Sequence, residues 1–247
     1  MSAKVVAIIP ARYASTRLPG KALAPIGGVP MVQRVYERAC AAAGIERVVV
    51  ATDDERVAAA VRAFGGELAM TGAHATGTDR LAEVAAALDA DIVVNVQGDL
   101  PLIEPATIAA CVAPLRADPT LGMASPMTPI RDEAEMRSPH VVKVVVGGDG
   151  CALYFSRSPV PYWRGTAGGV LGRRHIGIYA YRRTLLLELA AAPRTLLERA
   201  EELEQLRALE RGVRIRMIEV DSAPPEVDTA EDLARVRRLV EGAKDLT

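Results

Sequence analysis

The apolar run Val5–Ile9 stops at Pro10, and this junction restricts the fold more than any other stretch of the chain. A short unbroken apolar run is the pattern of a strand buried on both faces of a parallel sheet, and Pro10 has no N–H with which to continue a ladder. A loop at a strand's carboxyl end therefore follows. From Pro10 to Ile26 it carries Arg12, Ser15, Arg17 and Lys21 and no Asp or Glu. In open α/β sheets ligands bind outside these strand ends, and such a loop offers N–H, hydroxyl and cationic donors to phosphates. It reads as a nucleoside triphosphate loop. A P-loop would need Gly at position 15 and Ser or Thr at 22, where Ser15 and Ala22 stand, and no G-x-G-x-x-G follows the first strand.

Strand and helix patterns alternate onward from this point. Met31, Val35, Ala39 and Cys40 share a helix face after Pro30, Arg47 to Ala51 reads as a strand, and Thr52-Asp53-Asp54 supplies capping chemistry for a helix over 55–64. A strand over 67–70, a helix capped by Thr78 or Asp79 and running to Leu88, and a strand over 91–96 complete a βαβ pattern. Beyond Leu121 the pattern predicts strands over 141–146, 152–155 and 176–181 separated by turns. A charged helix over 195–211, a strand over 213–220 and a closing helix over 229–240 follow. The expected fold class is α/β, a mostly parallel sheet flanked by helices with a small mixed subregion, in one domain. The loop from Pro159 to Arg174, rich in Gly and Arg, is the expected mobile segment.

Composition narrows the function classes. Half of the 247 residues are hydrophobic and the formal net charge is −1, so a globally basic nucleic-acid binder is excluded and a polyanion has to be met by local clusters. Cys40, Cys111 and Cys151 are odd in number and widely spaced, which predicts buried thiols in a reducing cytosol rather than a disulfide framework or zinc site. Apolar runs are strand-length and no secretory leader pattern opens the chain, so a cytoplasmic protein without a membrane contact is expected.

Asp99 stands at the carboxyl end of the strand over 91–96, beside Gln97 and Gly98, on the same rim as the loop after Pro10. A carboxylate there would repel a triphosphate unless a Mg²⁺ ion bridged them, and Mg²⁺ takes one or two carboxylates plus phosphate oxygens. Asp228 is a candidate second ligand, with an N-cap of the last helix as its equal alternative. Among the histidines, His74 and His140 fall in polar loops and read as surface residues, whereas His175 is expected to open a strand after Arg173-Arg174 and to face an anion. Glu204 and Gln205 lie on the charged helix, where spacing alone does not separate a site from a solvated face.

Seven ordered blocks carry a resemblance: Pro10–Lys21, Thr76–Arg80, Asn95–Asp99, Tyr154–Arg157, His175–Tyr179, Leu203–Arg207 and Val227–Leu233. Together they resemble the 3-deoxy-manno-octulosonate cytidylyltransferase family, the CMP-Kdo synthetases, over nearly the whole chain. The resemblance implies a nucleotidyltransferase-type, Rossmann-like fold that binds CTP and Mg²⁺ and passes CMP to an acid sugar. It implies a single domain with residues 1–125 mainly nucleotide-binding, 126–225 mainly acceptor-binding and 226–247 carrying a metal ligand and the last helix. Arg12, Ser15, Arg17, Lys21, Thr78 and Arg80 match nucleotide-binding positions, Lys21, Asp99 and Asp228 catalytic ones, and Asp99 and Asp228 the metal ligands. Gln97, Arg157, His175, Tyr179, Glu204 and Gln205 match acceptor-binding positions, and the family is commonly homodimeric. Leu100, Ser138-Pro139-His140 and a short stretch over 162–174 depart from the family pattern. They leave open the same transfer to another acidic acceptor, such as a small phosphonate, with a metal-dependent glycosyltransferase or a non-catalytic nucleotide binder ranked below it.

Overall fold

The computed structural model describes residues 3–15, 17–74, 76–165 and 169–244. Thr16 of the cationic loop and residues 166–168 of the segment expected to be mobile lie outside the described residues. The chain forms two compact units, one from Met1–Ala109 with Pro224–Thr247 and one from Ala110–Ala223.

In the first unit β1 (Val5–Pro10) leads through a loop and a 3₁₀ turn (Lys21–Leu23) to the short pair β2 (Pro25–Ile26) and β3 (Val29–Pro30). Then come α1 (Met31–Cys40), β4 (Arg47–Thr52), α2 (Glu55–Ala63), β5 (Leu68–Met70), α3 (Gly77–Ala87) and β6 (Ile92–Asn95). The strands stand in the order β5–β4–β1–β6, every pair parallel, with Ile8 opposite Val49 on one side and Asn95 on the other. Val5, Ala7, Ile8 and Ile9 are completely buried, as an unbroken apolar run in a parallel sheet requires. Each large side chain among them contributes roughly 1.5–3 kcal/mol by leaving water. Helix starts follow local chemistry: Asp54 accepts from the Arg56 N–H, and Thr76 accepts from the Asp79 N–H at 3.1 Å. The α3 cap is thus Thr76, two residues before the earliest expected position, because the helix begins already at Gly77.

The segment α4 (Pro105–Ala117) enters the second unit, which contains β7 (Met123–Ile130), α5 (Glu133–Arg137), β8 (Lys143–Val146), β9 (Ala152–Ser156), β10 (Gly172–His175) and β11 (Tyr179–Arg182). α6 (Arg183–Ala191), α7 (Leu196–Glu201), α8 (Gln205–Glu210) and β12 (Ile215–Glu219) follow, and α9 (Ala230–Lys244) returns to the first unit. There Val227, Leu233, Val236 and Val240 close over Ile26 and Met31. In the second unit β7 pairs antiparallel with β10 and β11 and parallel with β12, and β8 joins β10 to β9, so this sheet is mixed.

Several expectations need correction. β7 was not anticipated, since Pro126 and Pro129 speak against a strand that pairs on both sides. Pro126 is tolerated because β10 pairing stops at Met127 and β11 pairing resumes at Ala124, leaving an interval in which no ladder donor is needed on that side. Of the strand expected over 176–181 only the end forms, as β11 from Tyr179, while the end of the stretch expected as a loop over 159–174 is taken up by β10 (Gly172–His175), and the helix expected over 195–211 is broken at Glu202, whose φ of 52° is left-handed. Finally, Cys40 is exposed, while Cys111 and Cys151 are buried as expected. Burial pushes the Cys111 thiol up to about 12, so it behaves as a small apolar group. No described helix is long and apolar enough to cross a membrane.

Candidate active site

Lys21 is the centre of the first unit's polar cluster. Its Nζ donates to Asp99 Oδ2 at 2.9 Å and to Asp228 Oδ1 at 3.1 Å, and Arg17 reaches Asp228 Oδ2 at 3.0 Å. Backbone geometry sets each of these side chains. Gly20 takes a left-handed φ of 69°, donates to the Tyr13 carbonyl and opens the 3₁₀ turn, and a Cβ there would stand 3.3 Å from the Tyr13 ring. Gly98 brings the loop after β6 so close to β1 that a Cβ would meet the Pro10 carbonyl at 3.0 Å. The Asp99 carbonyl then accepts from Val227 N–H at 3.0 Å, which draws the chain entering α9 alongside.

Asp228 is not the cap of α9. Thr229 Oγ1 accepts from Asp232 N–H, and the Asp232 carboxylate accepts from the N–H groups of Asp228 and Thr229, so the cap is a reciprocal Thr229–Asp232 arrangement. The Asp228 carboxylate is left for Lys21 and Arg17. Burial alone would lower the Lys21 pKa, but Asp99 and Asp228 outweigh it and raise the net value, which keeps the ammonium charged.

The other nucleotide-side candidates are less uniform. Arg12 is exposed and Ser15 half-buried on the same loop. Thr78 and Arg80 sit on α3 and are buried, and the Arg80 guanidinium is committed to Asp53 at 2.7 Å and to the Thr71 hydroxyl. The structure therefore joins Arg17, Lys21, Asp99 and Asp228, and holds Arg80 in a separate ion pair. Gln97 is half-buried and its carbonyl accepts from Leu100 N–H at 3.3 Å. Leu100 is 1% exposed, so the position where the family pattern has Glu is filled here by a core side chain.

In the second unit, of the acceptor-side candidates Tyr179 stands beside His175 and Glu204 acts on Tyr179. The His175 ring lies edge-on to Phe155 at 5.0 Å and beside Tyr179 at 5.3 Å, and Tyr181 is 5.7 Å beyond Tyr179. Burial pushes the Tyr179 and Tyr181 phenols up, and the charge of Glu204 adds to the shift. Gln205 is 5% exposed, and its Nε2 has no partner among the described residues. His175 ends β10 rather than opening a strand. Burial, reinforced by Arg174, lowers its pKa to about 3, so it is neutral and does not meet an anion as a cation.

The nearby arginines are occupied. Arg157 donates to the carbonyls of Glu201 and Pro139, Arg173 pairs with Glu219, and Arg174 with Glu135. Sequence reasoning missed Glu201, which accepts from Ser156 Oγ at 2.6 Å and Arg157 N–H at 2.9 Å, and Ser125, which touches His175. Glu201 carries no motif of its own, and only its hydrogen bonds to the Tyr154–Arg157 block reveal it.

A family pattern described as cytidylyltransferase matches residues 6–215, most of the chain. The chain belongs to the cytidylyltransferase family. Membership makes it a CTP-dependent nucleotidyltransferase. It is 56% identical over 244 residues to a 3-deoxy-manno-octulosonate cytidylyltransferase of Geobacter metallireducens, covering 94% of this chain and 96% of that protein. A protein of the same name from Solibacter usitatus is 49% identical, with 97% and 95% covered. Among solved structures, CMP:2-keto-3-deoxy-manno-octonic acid synthetase complexed with CTP superposes with a TM-score of 0.94 at 48% identity, covering 97% of this chain and 99% of that one. The mostly parallel α/β nucleotidyltransferase fold expected from the sequence is thereby borne out.

Proposed function

We propose that this cytidylyltransferase passes CMP from CTP to 3-deoxy-manno-octulosonate (Kdo). The sugar's anomeric hydroxyl oxygen bonds to the α-phosphorus and gives up its proton to solvent, the bond to the bridging oxygen of the β-phosphate breaks, and pyrophosphate leaves. The observation that carries this reading is identity above one half, over 94% of the chain, to a protein named for that reaction. The residues of the first unit suit it. Nucleotidyl transfer asks mainly for positioning and for cations where charge develops. Lys21 and Arg17 are such cations, and each charged hydrogen bond to phosphate is worth roughly 1.5–3 kcal/mol.

Mg²⁺ is the proposed cofactor. Asp99 and Asp228 turn oxygens toward one shared ammonium, and no group of three or more His, Cys, Asp or Glu able to hold a metal is found among the described residues. A two-carboxylate set, to which phosphate oxygens would add, fits the habit of Mg²⁺. Asp99 and Asp228 would hold the ion, which when bound offsets the negative charge of the phosphates.

Arg12, Ser15, Thr78 and Arg80 complete the proposed nucleotide set, and Gln97, Arg157, His175, Tyr179, Glu204 and Gln205 the acceptor set. The proposal also takes the chain as one functional domain acting as a cytoplasmic homodimer, and light scattering tests the dimer directly. For the reaction, purified protein is given CTP, Mg²⁺ and either Kdo, other acid sugars or phosphonoformate, and pyrophosphate release is followed. Fast turnover with Kdo alone is expected. Kdo used no better than the poorest acceptor would reject the acceptor, and no pyrophosphate with any acceptor would reject the transfer.

A further inference from the structure

Ser125 lies on β7 fully buried, and His175 ends β10 at 6% exposure. Ser125 Oγ is 2.8 Å from His175 Nε2, 2.7 Å from the Ile178 carbonyl oxygen and 3.3 Å from that of Ile176. The hydroxyl has one proton, and a carbonyl oxygen only accepts. Two oxygens 2.7 Å apart need that proton between them, so Ser125 donates to Ile178. Nε2 must then carry its own proton and donate to Oγ. The ring is neutral, which leaves Nδ1 with a lone pair and no proton. Phe155 and Tyr179 pack against the ring and hold its plane.

We infer that Ser125 is a positioning residue that fixes His175 as the Nε2–H tautomer, so that Nδ1 accepts a hydroxyl proton from a polyhydroxylated acceptor and disfavours an acceptor presenting only anionic oxygens. The inference rests on the reading of His175 as acceptor-facing. It deepens that reading, because a sugar acid brings hydroxyl donors whereas a fully ionised small phosphonate brings none, and an anionic oxygen against a lone pair is repulsive.

The test begins with the wild-type protein labelled with ¹⁵N-histidine. The chain has three histidines, so His175→Asn assigns the signal. A pyrrole-type Nε2 and a pyridine-type Nδ1 are expected at neutral pH, and the opposite tautomer overturns the inference whatever the acceptor is. Kinetics follow. His175→Asn keeps an acceptor atom near the Nδ1 position and His175→Gln keeps one near Nε2. The Gln variant is expected to raise KM for Kdo roughly five-fold above the Asn variant, the worth of one neutral hydrogen bond, with KM for CTP unchanged. Equal KM values overturn the hydroxyl contact while leaving wild-type Kdo turnover to stand for the functional reading. Ser125→Ala is expected to mix the tautomers and raise KM for Kdo, and Ser125→Thr to restore both. An Ala variant with unchanged tautomer and KM removes Ser125 from this role, and should the Ala variant not fold, the wild-type spectrum and the Thr variant still decide. The expected tautomer in an enzyme that does not use Kdo overturns the acceptor reading and the substrate half of the inference with it.

Discussion

The polar cluster of the first unit and the aromatic cluster of the second solve opposite problems. Around Lys21, part-exposed charges sit at strand ends and turns: two carboxylates and two cations joined by ion pairs of 2.9–3.1 Å. Around His175, Phe155, Tyr181 and the Ser125 hydroxyl are buried on strands with Tyr179 half-buried, and burial favours the neutral imidazole and phenols. On the proposed reading the first cluster meets a triphosphate, a dense, uniform anion for which a few part-exposed cations suffice, and the second meets the acceptor. A sugar acid differs from its competitors by the placement of neutral hydroxyls, and those are read by fixed donors and acceptors whose desolvation makes a mismatch expensive. The two clusters should therefore fail differently when damaged.

The largest effect is expected at Lys21. Lys21→Ala removes a phosphate cation and leaves Asp99 and Asp228 facing each other without their ammonium, so turnover should fall on the order of 100-fold, the scale seen when one transition-state donor is lost. Pyrophosphate release under saturating substrates measures it, and near wild-type turnover would take Lys21 out of the site. The matching loss in the second unit is structural first. Glu201→Ala frees Ser156 Oγ and the Arg157 N–H, and should cost about 3 kcal/mol of stability in denaturant unfolding, from two hydrogen bonds to a charged acceptor. It should also raise KM for Kdo and leave KM for CTP alone, and the reverse pattern would break the division of labour between the clusters.

How much of this was legible in the sequence differs along the same line. The strand ends, the cationic loop and the separate importance of Asp99 and Asp228 could be read because apolar runs and Pro10 act locally. That Lys21 holds both carboxylates could not, since it joins positions 78 and 207 residues apart. In the second unit the prolines of β7 hid a strand whose tolerance depends on where its neighbours stop pairing, and the left-handed Glu202 broke a helix that its charge pattern made continuous. His175 was legible as special but its neutrality was not, because its burial against Phe155 and Ser125 is a tertiary fact.

Its neutrality gives a pH signature. The folded pKa of His175, about 3, lies below its ordinary value of 6.5. Between these values the unfolded chain binds the extra proton, so the contribution of His175 to stability is full above pH 6.5 and is lost progressively as the pH falls toward 3. At pH 5.5 the loss should be about 1.4 kcal/mol relative to slightly alkaline solution. His175→Gln should remove that slope from a series of denaturant unfolding curves between pH 7.5 and 5. A wild-type slope in the variant would mean that other groups titrate there and that His175 is not held neutral.

The smallest effect is expected at His140, and it sharpens the comparison most. The segment Ser138-Pro139-His140 departs from the family pattern, yet what the second unit uses there is backbone. Buried Lys143 donates to the carbonyls of Ser138 and Val141, and Arg157 donates to that of Pro139. His140 is exposed, and its own N–H is taken by the Ser138 hydroxyl at 3.3 Å. A segment held through the carbonyls of its neighbours tolerates a change at an exposed side chain, so His140→Asn should shift stability by no more than about 0.5 kcal/mol, as for ordinary surface substitutions. KM for Kdo should stay within a factor of two. A larger rise in that KM, with KM for CTP unchanged, would mean that the His140 side chain itself reads the acceptor, and that the second cluster reaches beyond its buried rings.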